Sequence, residues 1–262
     1  MDNFNKEEII NQAREHGYWL QRDVQMNRKQ FMEFCNHIAT PWSWKIHDMH
    51  GEGDLNEEEV VDWSSETRFM KRSLPWHADN PWSKDFQFPL RAFYAVNIPD
   101  PKDGPLEFLN QTKWFESLDE KQKDEFRQMK VLVQCYKGYC QPYYDDFVKI
   151  NPITGTESLK WGSKVVYTDV YGLEPDEGHA HNHFSFTMAI MRGREIISDE
   201  EISTWFQDMI DKGHHDIVEF REGDLLVNDN WTTLHYRRTL TNSNERLLYR
   251  KTLLQPWQKY IG

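Results

Sequence analysis

Apolar residues recur at helical spacing near the start of the chain and at a spacing of two toward its end. Ile9, Ile10 and Ala13 share one side of a helix expected over 7–16, which Gly17 stops. Phe31, Phe34, Cys35 and Ile38 mark a second helical face, and Tyr18 to Leu20 between the two reads as a short strand. Together they predict an outer helical layer over about 1–40. The acidic stretch from Glu52 to Ser65 reads as a surface loop. Phe88 to Ile98, aromatic and branched, predicts a core strand that ends at the turn Pro99-Asp-Pro-Lys-Asp-Gly104 and continues as a loop through Phe108. Ser117-Leu-Asp-Glu120 and Ser198-Asp-Glu-Glu201 both have the form of a capping box. The first precedes Phe126 and Met129. The second precedes Ile202, Trp205, Phe206, Met209 and Ile210, with Gly213 as the stop.

The last fifty residues carry the clearest strand signal. Asp216 to Phe220, Leu225 to Val227 and Thr232 to Arg238 are short strands, the first two separated by the turn Arg221-Glu-Gly-Asp224. A hairpin is then expected, with Thr241-Asn-Ser-Asn244 as its loop and 246–254 as its return strand. The period of two puts Arg246, Leu248, Arg250 and Thr252 on one face of that strand, so two guanidinium groups point the same way.

With 262 residues and no internal repeat or low-complexity linker, the chain is expected to form one domain over 1–262. Its metal-site strands would come from about 74–110 and 216–255, and 111–215 would be an insert of helices and loops. A net charge of −12 argues against a nucleic-acid or anionic-membrane partner. No apolar run approaches a membrane span, and the first residues lack the basic-then-apolar order of a signal peptide, so a cytoplasmic location is expected. Cys35, Cys135 and Cys140 cannot all pair with one another and read as free thiols.

Candidate chemistry begins at His77 and Asp79 in Leu74-Pro-Trp-His-Ala-Asp-Asn80. Side chains two apart on a strand project from one face, so this pair can grip a single metal, and His235 completes two histidines and one carboxylate. That donor set, which leaves three cis positions open, suits iron(II) binding a chelating 2-oxo acid and dioxygen. The distal carboxylate of such an acid needs a planar two-pronged donor, and Arg246 is the candidate. Arg250 has the same orientation; it holds the anionic end of a substrate, supports the co-substrate or merely closes the strand. Arg72 and Arg91 read equally as further anion contacts or as solvated strand-edge residues. His179-Ala-His-Asn-His183 offers alternating imidazoles in a turn, for which a second metal or a substrate contact competes with a polar lid. His214 and His215 read as a helix end, where a cationic imidazole suits the dipole. Trp76, Trp82, Phe86 and Trp231 flank the ligands in sequence and are either pocket lining or ordinary core.

The block Glu222-Gly-Asp-Leu-Leu-Val-Asn-Asp-Asn-Trp-Thr-Thr-Leu-His235 resembles the Gly-Asp, Asp-Asn, His segment of the taurine dioxygenase-like (TauD/TfdA) iron(II)/2-oxoglutarate oxygenases. Asn151-Pro-Ile-Thr-Gly155 is similar to their His-Pro-x-Thr-Gly turn. The spacing of Arg246 and Arg250 after His235, and the start at His16-Gly-Tyr-Trp-Leu20, resemble theirs too. The resemblance covers most of the chain. It implies an α+β fold with a double-stranded β-helix (jelly-roll, cupin-like) core and flanking helices. It also implies His77, Asp79 and His235 as iron ligands, Arg246 as the 2-oxoglutarate anchor, and possession of a small-molecule substrate. A homodimer is only a family-level expectation.

The sequence departs from this pattern at three places. Leu106 stands about where the family usually has a threonine that helps bind the co-substrate, Asn151 replaces the histidine of the turn, and Trp231 replaces a common arginine. Asp79 fills the position that a small residue occupies in the halogenases of the family, which favours hydroxylation. Two other readings stand beside the oxygenase: a zinc hydrolase on the same ligands, which leaves the paired arginines unexplained, and a non-catalytic carboxylate-binding domain.

Overall fold

The computed structural model describes residues 4–41, 61–64, 74–78, 90–135, 142–151, 154–159, 186–240 and 246–254. Helix α1 (Lys6–His16) begins where the Asn5 side chain accepts the N–H groups of Glu7 and Glu8, and it ends at Gly17 with φ +95°. A side chain at Gly17 would also collide with Thr233, so the close passage of the chain there fixes glycine twice over. Strand β1 (Tyr18–Gln21) leads to α2 (Arg28–Ile38), which Asn27 and Gln30 start with a reciprocal capping box. The chain continues through β2 (Thr40–Pro41), β3 (Val61–Ser64), β4 (Leu74–His77), β5 (Leu90–Asn97) and β6 (Leu106–Asn110). Then come α3 (Gln111–Ser117), α4 (Glu120–Gln128), β7 (Lys130–Cys135), β8 (Tyr143–Asp146), β9 (Val148–Ile150), β10 (Glu157–Leu159), β11 (Phe186–Arg192) and β12 (Glu195–Ile196). The last elements are α5 (Asp199–Asp211), β13 (His215–Val218), β14 (Leu225–Asp229), β15 (Thr233–Arg237) and β16 (Leu247–Leu254).

All strand pairings among the described residues are antiparallel. One sheet runs β1-β14-β5-β16-β2, with β3 also paired to β16; a second runs β13-β6-β15-β4; a third runs β12-β11-β7-β8, with β9 and β10 as a separate pair. The first sheet has two different faces. Leu90, Ala92, Tyr94, Leu225, Val227 and Leu253 pack outward against Ile9, Ala13, Phe31, Phe34 and Ile38 of α1 and α2. Phe93, Ala95, Leu226 and Leu248 pack inward against Leu106, Phe108 and Val218 of the second sheet. The far side of the second sheet, with Leu109 and Leu234, is covered by Trp114, Phe115, Phe126, Met209 and the third sheet. At about 1.5–3 kcal/mol for each large apolar side chain withdrawn from water, three such clusters hold the two central sheets in register. Among the described residues no helix is long and apolar enough to cross a membrane.

Several expectations change. The stretch after Gly104, read as a loop, is the central strand β6, in which all five residues are buried. β16 is not the return arm of a hairpin with β15: it pairs with β5, β2 and β3, while β15 pairs with β6 and β4, so the chain crosses between sheets. Val61–Ser64, within the acidic stretch read as surface loop, is a strand against β16. Helix α4 is capped by Asp119, which forms the reciprocal box with Gln122; Ser117 instead closes α3 by donating to the Trp114 carbonyl. The segment 111–215, expected to be helices and loops, contributes six strands besides its helices among its described residues.

Candidate functional site

The inward faces of the two central sheets carry His77, His235, Arg91, Arg246 and Arg250. On the second sheet the cross-strand row is Asp216, Phe108, His235 and His77. His235, 8% exposed, and His77 lie opposite each other on β15 and β4, with ring centroids 4.2 Å apart and planes at 49°. An imidazole nitrogen sits about 2.1 Å from a divalent metal and the ring centre about 1.1 Å further, so two cis ligands place their centroids about 4.5 Å apart. The observed separation therefore suits one shared metal. Asp79 and Arg72 lie outside the described residues, as do His179, His181 and His183 of the alternating-histidine segment. Among the described residues no group of three or more His, Cys, Asp or Glu side chains could hold a metal.

Arg246 is buried at the entry to β16, and Leu248, Arg250 and Thr252 follow on the same inward face. One prong of its guanidinium, Nη1, donates to the carbonyls of Asp103 and of Gly104, the latter at 2.9 Å. Its Nε is buried with no hydrogen-bond partner among the described residues. Burial pulls the Arg246 pKa down to about 10, and the nearby Asp103 carboxylate only partly opposes this. The committed Nη1 leaves the Nε–Nη2 edge for a bidentate oxyanion. Gly104 makes this approach possible: its φ is +64°, and a Cβ there would strike Leu240 and stand 3.2 Å from Arg246 Nη1.

Leu106, at the position of the expected threonine, belongs to the apolar cluster between the sheets, opposite Arg237 and Val218 in register. Trp76 alternates with His77 and faces the other way, against Phe206, His215 and Tyr236, so it does not line the site. Trp231 is buried, with its indole N–H unpartnered among the described residues; Trp82 and Phe86 lie outside them. His215 is not at a helix end but on β13, with Nε2 2.7 Å from the buried Glu107, whose other oxygen accepts Arg238 Nε at 2.5 Å. His214 does follow α5, yet burial lowers its pKa, aided by Lys212 and Lys113, so it disfavours the cationic form expected there. Cys35 is buried beneath α2, and burial raises its thiol pKa far above the ordinary range.

Sequence reasoning left Arg91 undecided and passed over Asn228 and Arg237, all buried. Counting by two from Phe93 reaches Arg91, and from His235 reaches Arg237; the missing information was which face of each strand looks inward.

Two antiparallel sheets enclose the paired imidazoles and the buried guanidinium groups, a donor set that could hold a metal beside an anion. Residues 2–252 match the model of the taurine catabolism dioxygenase TauD, TfdA family, and the chain belongs to that family of oxidoreductases. Among solved structures it is similar to PvcB from Pseudomonas aeruginosa, described as an Fe, alpha-ketoglutarate dependent oxygenase from an isonitrile synthetic pathway. That match has 16% identity and a TM-score of 0.66, over 96% of this chain and 80% of the other. A taurine dioxygenase from Burkholderia xenovorans is 17% identical, with a TM-score of 0.64 over 97% and 82% of the two chains. AAD-2 in complex with Mn(II) and N-oxalylglycine is 16% identical, with a TM-score of 0.60 over 95% and 86%. No curated protein matches the chain in sequence.

Proposed function

We propose that this chain, read as one unit over 1–262, is a non-haem iron(II)- and 2-oxoglutarate-dependent dioxygenase with a double-stranded β-helix core. Its reaction hydroxylates a C–H bond of a small polar or anionic substrate and releases succinate and carbon dioxide. The observation that carries this reading is the pairing of His77 with His235 at 4.2 Å inside the same sheet-to-sheet layer that buries Arg246. Family membership supports the reaction class. The bound Mn(II) and N-oxalylglycine of AAD-2, a metal and an oxalyl compound, support the pairing of a divalent metal with a 2-oxo acid.

In this proposal His77 and His235 hold the iron, and Asp79, two residues beyond His77, supplies the carboxylate ligand. Iron and 2-oxoglutarate together supply the oxidising power toward the C–H bond, with dioxygen as the oxidant. Arg246 takes the distal carboxylate of 2-oxoglutarate on its Nε–Nη2 edge, while the carbonyls of Asp103 and Gly104 hold the guanidinium plane. With Leu106 apolar, that carboxylate relies on Arg246 more heavily than where a threonine assists. Arg250, opposite Phe93 on the same face, adds positive charge between Arg246 and the far end of the layer. Phe93, Phe108, Leu226 and Leu248 keep water from the reacting centre.

Metal analysis combined with co-substrate turnover tests the proposal. Purified protein given iron(II), ascorbate and 2-oxoglutarate in air is expected to form succinate, and His77→Ala and His235→Ala variants are expected not to. Tightly held zinc without succinate would replace the proposal with a hydrolase, and neither zinc nor succinate with a binding domain.

A further inference from the structure

The first sheet carries a second polar row, farther along the strands than Arg246. Tyr18 on β1, Asn228 on β14, Arg91 on β5 and Thr252 on β16 are consecutive cross-strand partners. Phe93 and Leu226, two residues from Arg91 and Asn228, pack inward, whereas Leu90, Ala92 and Val227 pack outward, so Arg91 and Asn228 face the layer between the sheets. Arg91 is 5% exposed and Asn228 1%. Asn228 Nδ2 is fully enclosed and has no hydrogen-bond partner among the described residues. The four side chains of the row offer N–H and O–H donors and include no carboxylate. Arg91 and Asn228 are the buried members of the row, Tyr18 and Thr252 being half-buried, and buried N–H donors with one fixed positive charge are complementary to an oxyanion.

The level of this row decides which molecule supplies the anion. Tyr18 stacks on Phe108, with centroids 4.9 Å apart and planes at 21°, and Phe108 neighbours His235 in register. The row is therefore level with the histidine pair. Thr252, the cross-strand partner of Arg91, lies six residues beyond Arg246, about 20 Å along an extended strand. A 2-oxoglutarate held by Arg246 approaches the histidines from one end, and Arg91 stands toward the other.

Resting on the function proposed above, we infer that Arg91 and Asn228 bind a carboxylate of the primary substrate, which is accordingly a small carboxylic acid or amino acid. Arg91 fixes the substrate's anionic end, and Asn228 donates its amide N–H to the same group.

The test compares wild type, Arg91→Gln, Arg91→Lys and Asn228→Leu. Anaerobic protein is loaded with iron(II) and 2-oxoglutarate, and the visible band of the chelate is followed. Short-chain monocarboxylates and α-amino acids are then added, each beside its own primary amide. A second arm records melting temperature with the same compounds and no iron, so it reports on Arg91 even if the band never forms. At least one carboxylate is expected to perturb the wild-type band and raise its melting temperature where the amide does not. Arg91→Gln is expected to weaken that response about tenfold or more, as for the loss of a charge-assisted contact, while leaving 2-oxoglutarate affinity within about threefold. Arg91→Lys, which keeps the charge and the fold but not the planar fork, and Asn228→Leu are each expected to weaken it by a smaller factor. Carboxylates and amides acting alike on wild type, or an Arg91→Gln or Arg91→Lys protein responding like wild type, overturns the inference. So does equal weakening of the probe and 2-oxoglutarate, which makes Arg91 part of the co-substrate site. Failure of the band to form in wild type refutes the cofactor reading instead.

Discussion

Replacing Arg246 with methionine separates the cost of burying a charge from the gain it gives a ligand. Burial lowers the Arg246 pKa to about 10. At about 1.4 kcal/mol for each pH unit, the ionised form carries a penalty of about 3 kcal/mol in the unliganded protein. Hydrogen bonds to the carbonyls of Asp103 and Gly104 offset part of it. Methionine removes both the penalty and these bonds, so the unliganded variant is expected within about 2 kcal/mol of wild type. The ligand-bound state differs much more. A hydrogen-bonded contact to a charged group contributes about 1.5–3 kcal/mol, so Arg246→Met is expected to bind 2-oxoglutarate about 10- to 150-fold more weakly. Titration calorimetry on manganese-loaded protein, in which no turnover occurs, measures the affinity, and urea denaturation with and without the ligand measures the linkage. An affinity within about threefold of wild type would refute the reasoning. So would a variant that loses more than about 4 kcal/mol without ligand yet keeps its full ligand-induced stabilisation, since Arg246 would then be structural.

Burial raises the Asp229 carboxyl pKa to about 6, against the N–H groups of Trp231 and Thr232 that its Oδ1 accepts. Its stabilising contribution is complete below pH ~4 and falls by about 3 kcal/mol as pH rises through 6. Asp229→Asn, which keeps an oxygen for both N–H groups, is expected to lose that part of the pH dependence; parallel stability–pH curves for the two proteins over pH 4–7 would contradict it. Gly104→Ala forces a Cβ against Leu240 at φ +64° and is expected to cost more than about 1 kcal/mol in denaturation and to weaken 2-oxoglutarate binding through Arg246. Asp119→Ala is expected to destabilise by about 1 kcal/mol and Ser117→Ala by less, because Asp119 caps α4; the reverse order in melting experiments would restore Ser117 as the cap.

Much of the site was legible because it depends on local periodicity. Alternation places Arg246, Leu248, Arg250 and Thr252 on one face whatever strand they pair with, and the helical spacing of Phe31, Phe34, Cys35 and Ile38 identifies the face that α2 buries. What was missed depends on partners remote in sequence. β6 contains Glu107, which looks unfit for a buried strand until His215 and Arg238, 108 and 131 residues later, are placed around it. Arg91, at the start of β5, reads in isolation as either an anion contact or a solvated strand-edge residue; only the pairing of β5 with both β14 and β16, which makes it an interior strand, decides that it is buried. The hairpin expected between β15 and β16 follows sequence proximity, whereas the apolar inward face of β16, with Leu248, completes the opposite sheet against β5. Ser117 and Asp119 both begin a plausible capping pattern, and only the end of α3 at Ser117 settles which one starts the next helix.

The most direct measurement is the visible spectrum of anaerobic protein on adding iron(II) and then 2-oxoglutarate, for wild type, His77→Ala and His235→Ala. A weak charge-transfer band in wild type that is lost in both variants, with folding intact by circular dichroism, is the expected result. No band in wild type, or a band that persists in both variants, would contradict the assignment of the paired histidines as the iron site.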